Sequence, residues 1–183
     1  MKKIHFYITG LFLLGISFFL DNSVTNFFLN NRVSFLETIS LFIHNIGLYL
    51  FFISALIILL VFNKKKNILP LFLSLIFFII FTQVIKLAVG RPRPFTTFGF
   101  LDLGETGINR SFPSGHVVAT ASVTRFFEFN KIFLYFWIFV VVLVMFSRVY
   151  LGMHYLSDVI AGLLLGYFIG DLSIFLAGKI QRN

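Results

Sequence analysis

Apolar residues run along this chain in long blocks, broken at intervals by short polar stretches. A helix needs about 20 apolar residues to cross a bilayer, and only a helix satisfies its own backbone there. The blocks predict six spanning helices, over about 4–20, 38–62, 69–89, 116–129, 132–148 and 155–177. The fourth is short and weakly apolar. Residues 21–34, DNSVTNFFLNNRVS, are polar with an apolar interior and are expected at the membrane interface. The basic start followed by the apolar run 4–20 has the outline of a signal peptide. That run ends at Asp21 with no small-residue cleavage pattern, so a retained first helix is expected.

Composition narrows the class. Of 183 residues, 58% are hydrophobic and 12% charged, against roughly a quarter charged in a soluble domain. Mean hydropathy is +0.96. The expectation is an all-α, polytopic membrane bundle forming one domain over residues 1–183. The net charge of +8 does not indicate a nucleic-acid partner, because the basic residues sit in short clusters between apolar runs, as topology signals do. Cysteine is absent, which excludes a disulfide framework and a thiolate metal site.

With the N-terminus placed in the cytoplasm, nine basic residues fall on that side: Lys2, Lys3, Lys64, Lys65, Lys66, Arg125, Lys131, Lys179 and Arg182. Six fall on the other: Arg32, Lys86, Arg91, Arg93, Arg110 and Arg148. Five of those six lie in or beside three polar stretches whose charges suggest chemistry, and setting them aside leaves nine against one. Both termini are then cytoplasmic, which requires an even number of spans and retains segment 116–129.

Parity has a second consequence. KLAVGRPRP closes the third segment, FPSGH opens the fourth, and SRVYLGMHYLSD joins the fifth to the sixth. All three stretches are expected at the extracytoplasmic face. Ionisable groups at membrane depth are costly and mark functional sites. Lys86, Arg91 and Arg93 read singly as snorkelling anchors; clustered without carboxylates, they suit an anion, and arginine's planar fork matches phosphate oxygens. Ser114 is placed to cap a helix, whose N-terminus attracts anions. Gly115 permits close approach to the backbone, and a histidine beside such a site, His116, can exchange a proton near neutral pH. His154 and Asp158, four apart, share a helix face, and a carboxylate behind an imidazole is the orienting arrangement of catalytic nucleophiles and bases. A metal site of His116, His154 and Asp158 is the rival, disfavoured by the surrounding cations. Gly162, Gly166 and Gly170 repeat every four residues, as in close helix packing. His5 and His44 are isolated and receive no role, and Asp171 has no evident one.

Lys86-x6-Arg93-Pro94, Pro113-Ser114-Gly115-His116 and Ser147-Arg148-x5-His154-x3-Asp158 together resemble the three-part signature of the type 2 phosphatidic acid phosphatase family. Vanadium haloperoxidases share that site. The resemblance implies a metal-independent lipid phosphatase without cofactor, in the cell (inner) membrane, with its active site facing the periplasm or cell exterior. It implies that His154 attacks phosphorus to form a phosphohistidine, that Asp158 orients His154, and that His116 protonates the leaving oxygen. Lys86, Arg93, Ser114, the Gly115 amide and Arg148 would hold the phosphoryl oxygens. Lipid A 1-phosphate and undecaprenyl diphosphate are the favoured substrates, followed by phosphatidylglycerophosphate and phosphatidic acid. The stretches Phe95–Arg110 and 21–34 are expected to select the headgroup, with Asp102 and Glu105 as candidate contacts. Arg91, outside the signature, is a candidate for a second phosphate or the headgroup. A non-enzymatic lipid-phosphate carrier or scramblase is the alternative; it would need neither paired histidines nor a carboxylate behind one of them.

Overall fold

The computed structural model describes residues 2–45, 48–98 and 110–181. Asp102, Glu105 and Arg182 lie outside them. The described residues form helices and no strands: α1 Lys2–Asn30, α2 Ser34–Asn45, α3 Leu48–Val61, α4 Ile68–Val89, α5 Pro94–Phe98, α6 Gly115–Val123, α7 Lys131–Tyr150 and α8 Leu156–Ile180. Four stretches are long and apolar enough to cross a membrane, and α2 with α3 makes a fifth as a bent pair, turning by 72°.

Two boundaries differ from expectation. The first helix does not stop at residue 20 but continues to Asn30, so residues 21–30 extend it as helix. Asp21 looks like a stop signal, yet it is 2% exposed and paired with the Arg91 guanidinium at 2.7 Å. Neutralised by a partner, it stays inside the bundle. The second expected span, 38–62, is two helices that begin at Ser34, and hydropathy alone does not register their change of direction.

The shortest expected segment is the centre of the molecule. α6, with the 3-10 turn Thr124–Phe127 that follows it, packs against α3, α4, α7 and α8. Every residue from Val117 to Val123 is buried. It faces protein rather than lipid, which is why small and hydroxylated residues replace a uniformly greasy surface. Its internal hydroxyls bond to their own helix, Thr120 to the His116 carbonyl at 2.7 Å and Ser122 to the Ala119 carbonyl at 2.9 Å.

The glycine stripe of α8 permits this burial. A Cβ on Gly162 would meet the Ser114 carbonyl oxygen at 2.9 Å; on Gly166, the Ala121 Cβ and the Val118 carbonyl oxygen at 2.7 Å; on Gly170, the Ser122 carbonyl oxygen at 2.7 Å. Backbone atoms cannot yield as a flexible side chain can. Gly166→Ala is therefore expected to overpack the α6–α8 contact and lower stability by about 1–3 kcal/mol. A Cβ on Gly178 would meet nothing within 4 Å, so Gly178→Ala should be neutral or stabilising, since glycine inside a helix costs about 0.5–1 kcal/mol relative to alanine. Thermal unfolding of both variants in detergent checks the contrast; equal melting temperatures would count against it.

α1 and α8 run antiparallel. Tyr7 donates to Asp171 at 3.3 Å near one end, and Ser157 N–H donates to Asp21 at 2.8 Å near the other. Asp171 also accepts from Arg125 Nε at 2.7 Å, so it ties α1, α8 and the turn after α6 together. Gln181 reaches the Lys66 carbonyl at 3.3 Å. The start of α1, the end of α8, Arg125 and the Lys64–Lys66 loop thus share one end of the bundle. Asp158 is 13 residues before Asp171, about 20 Å away along the helix axis, at the opposite end.

Candidate active site

The three polar stretches meet at that opposite end, and hydrogen bonds join them. α4 ends at Gly90, whose left-handed conformation (φ 63°) lets its N–H cap the Lys86 carbonyl at 3.1 Å. Lys86 and Arg93 therefore do not share a continuous helix face. Both instead bear on His154 through their charge, and both are largely buried, at 9% and 7% exposed. Lys86 Nζ donates to the Arg110 carbonyl at 2.7 Å, and Arg110 donates back to the Lys86 carbonyl at 3.1 Å.

Ser111, which sequence reasoning passed over, is the junction. Its N–H donates to the Arg91 carbonyl at 2.8 Å and its hydroxyl to the Pro92 carbonyl at 3.0 Å. Its own carbonyl accepts from His154 Nδ1 at 2.7 Å. The bond to His154 uses only the backbone carbonyl, so no side-chain signal marks that role.

His154 lies between α7 and α8 and is 2% exposed. A carbonyl accepts and never donates, so Nδ1 carries the proton. In the neutral ring Nε2 then holds the lone pair. Asp158 stands 3.7 Å from His154 Nδ1, beyond hydrogen-bond length; the Ser111 carbonyl makes the orienting bond. Asp158 instead accepts from Tyr155 N–H at 2.8 Å and from Arg91 at 2.9 Å, fixing the entry into α8 just after His154.

Burial drives the His154 pKa well below the usual imidazole value, followed by the charges of Arg93, Lys86 and Arg148, while the Ser111 bond pushes weakly upward. The unfolded ring protonates near pH 6.5. Below that pH the unfolded chain binds the proton first, so stability falls as pH drops below about 6.5 and is unaffected by this group above it. Melting temperature against pH should show that acid slope, and His154→Gln should reduce it; an unchanged slope would contradict the buried neutral ring.

Arg148 is fully buried, at 0% exposed. Its Nη1 lies 3.1 Å from His116 Nδ1 and its Nη2 lies 2.9 Å from His44 Nδ1. Arginine has donors only, so both Nδ1 atoms accept and the neutral rings carry their protons on Nε2. His116 and His154 are thus held in opposite tautomers. His44, given no role from sequence, is drawn in through Arg148.

Ser114 opens α6 and is fully buried. Its N–H donates to the Asp158 carbonyl at 3.0 Å, and its hydroxyl has no hydrogen-bond partner among the described residues. A Cβ at Gly115 would meet only the Thr82 methyl, at 3.8 Å. Protein packing therefore does not itself demand glycine there. Lys86, Arg93, Arg148 and Asp158 thus all bear on His154, and Ser114 and Gly115 open the helix that carries His116.

Arg91 is engaged within the bundle. It donates to Ser157, Asp158 and Asp21 at 2.7, 2.9 and 2.7 Å and lies over the Tyr155 ring at 3.8 Å. It locks α1 to α8. Among the described residues no group of three or more histidine, aspartate or glutamate side chains is arranged to hold a metal ion, the trio His116, His154 and Asp158 included.

A model of the PAP2 superfamily matches residues 67–181, a stretch that contains all three polar motifs. The chain belongs to this superfamily. It is 34% identical over 148 residues to an undecaprenyl-diphosphatase of Sulfolobus acidocaldarius, a match covering 79% of this chain and 72% of that protein. Two solved structures share the fold. A transmembrane PAP2 type phosphatidylglycerolphosphate phosphatase from Bacillus subtilis superposes with a TM-score of 0.67 at 22% identity, covering 96% of this chain and 98% of that one. Aquifex aeolicus LpxE gives 0.69 at 24% identity, covering 85% and 95%.

Proposed function

We infer that this PAP2 protein is an integral-membrane lipid phosphatase that hydrolyses a lipid diphosphate or phosphomonoester through a phosphohistidine, at the extracytoplasmic face of a six-span bundle with cytoplasmic termini. The observation that carries the chemistry is the pair of imidazoles in opposite tautomers, with Arg148 bonded to His116 and the charges of Lys86, Arg93 and Arg148 acting on His154. His154 Nε2, its lone pair exposed by the Ser111 bond, attacks phosphorus. The bond from phosphorus to the leaving oxygen breaks, and His116 gives that oxygen a proton from Nε2. Water then attacks phosphorus as His116 Nε2 takes its proton, the phosphorus–nitrogen bond breaks with its electron pair returning to His154 Nε2, and phosphate departs. Phosphoryl transfer rests mainly on positioning and charge stabilisation; here the cations, the Ser114 hydroxyl and the α6 N-terminus supply both.

To donate, His116 must first carry a second proton. Arg148 cannot donate to a protonated Nδ1, so charging His116 releases Nη1 to a phosphoryl oxygen. The phosphate-binding and acid roles of this pair are thereby coupled.

The common end shared by the start of α1, the end of α8 and the Lys64–Lys66 loop supports the orientation, since basic loops favour the cytoplasm. α6 is the sixth pass; it is short for a bilayer, but protein surrounds it. Undecaprenyl diphosphate is the favoured substrate, on the 34% identical relative named for it, followed by lipid A 1-phosphate, phosphatidylglycerophosphate and phosphatidic acid. Released phosphate from the purified protein against these four lipids tests the reading. Hydrolysis fastest with the diphosphate, inhibited by vanadate and insensitive to EDTA, is expected. Activity abolished by EDTA, or phosphate-dependent lipid binding without turnover, would overturn it.

A further inference from the structure

We propose that His44 is a positioning residue for the phosphoryl-transfer site, anchoring one arm of the Arg148 guanidinium so that the other serves His116. The proposal rests on the phosphatase reading above. His44 lies in the last turn of α2, outside the stretch 67–181 that defines the superfamily match. Nothing in its sequence surroundings marks it.

The geometry marks it. Arg148 Nη2 reaches His44 Nδ1 at 2.9 Å and Nη1 reaches His116 Nδ1 at 3.1 Å. The two rings are 6.2 Å apart, centroid to centroid. A guanidinium is planar, so fixing one terminal nitrogen largely fixes the direction of the other. The helix that carries His44 is anchored at its start: the Tyr150 hydroxyl accepts from Val33 N–H at 2.7 Å and donates to the Val33 carbonyl at 3.0 Å. That contact docks the start of α2 against α7, two residues from Arg148. The consequence is directional. Nη1 passes between His116 Nδ1 and a phosphoryl oxygen during the reaction, while Nη2 stays on His44.

Two substitutions separate this role from simple packing. Asparagine places an acceptor oxygen close to where Nδ1 stands; leucine fills the space without one. His44→Leu is expected to lower kcat/KM for the lipid substrate by about 10- to 100-fold, the scale of a small misplacement of a catalytic group. His44→Asn should stay within about threefold of the wild type, because the hydrogen bond survives. In an Arg148→Lys background His44→Leu should add little, because residues acting through one another are not additive.

A measurement independent of turnover accompanies these. Nitrogen-15 spectra of histidine-labelled protein should show His116 as the Nε2–H tautomer in the wild type and in His44→Asn, and as a tautomer mixture in His44→Leu. An unchanged His116 signal in His44→Leu, an asparagine variant as impaired as leucine, or fully multiplicative losses with Arg148→Lys would each overturn the proposal. A wild type that hydrolyses none of the lipids would instead sink the phosphatase reading, while the spectra would still decide the Arg148 anchor.

Discussion

His154→Ala is expected to lower phosphate release by at least about 10⁴-fold, the scale seen when a covalent nucleophile is removed. Lys86, Arg93, Arg148 and the α6 N-terminus would still bind the phosphate, so substrate affinity should change far less than turnover. The alanine also leaves the Ser111 carbonyl without its 2.7 Å donor, at a stability cost of about 1–3 kcal/mol. His154→Asn offers an amide donor to that carbonyl but no nucleophile. It should therefore fold as the wild type does and remain inactive. Gel-filtration profiles, melting temperatures and phosphate release for the three proteins separate chemistry from folding. Trapping a phosphoenzyme in the wild type and in neither variant completes the test. Full turnover by either variant would remove His154 from the nucleophile's role.

Arg91→Ala is expected to destabilise the protein by about 3–5 kcal/mol, the cost of stranding buried charges. The substitution leaves Asp21 and Asp158 at 3% and 0% side-chain exposure with their shared cation gone. Arg91→Lys should recover only part of the loss. A single ammonium cannot reproduce the planar fork that reaches Ser157, Asp158 and Asp21 together. The double variant Arg91→Leu with Asp21→Asn should be less impaired than Arg91→Ala, because one of the stranded carboxylates is removed. Melting temperatures in detergent rank the series. A wild-type melting temperature for Arg91→Ala would show that this network does not lock α1 to α8.

The all-helical membrane character was legible because lipid imposes a simple rule on the residues that face it. α4, α7 and α8 start and end within a few residues of where their apolar runs do. The three motifs were legible as chemistry because cations, histidines and a carboxylate are costly in an apolar chain, and hydrogen bonds among them bring them to one end of the bundle. Asp21, Arg91 and Asp171 were misread or left open for one reason: a charge in a sequence does not reveal its partner. Asp21 bonds to Arg91 and Ser157, 70 and 136 positions away; Asp171 bonds to Arg125, 46 positions away.

Sequence by itself determined the solvent for which this protein is built, the order of its helices and the residue types available to a phosphate. Tertiary structure alone decided how those residues divide their work. It gave the orienting bond of His154 to a backbone carbonyl at Ser111, a group that every residue type carries and no pattern can flag. It set His116 in the opposite tautomer through Arg148, and it recruited His44 across 104 positions of chain. It also made the least apolar segment the most buried, because α6 touches glycines rather than lipid. Burial against lipid follows from composition, whereas burial against protein, and the hydrogen bonds made there, depend on which distant segment arrives.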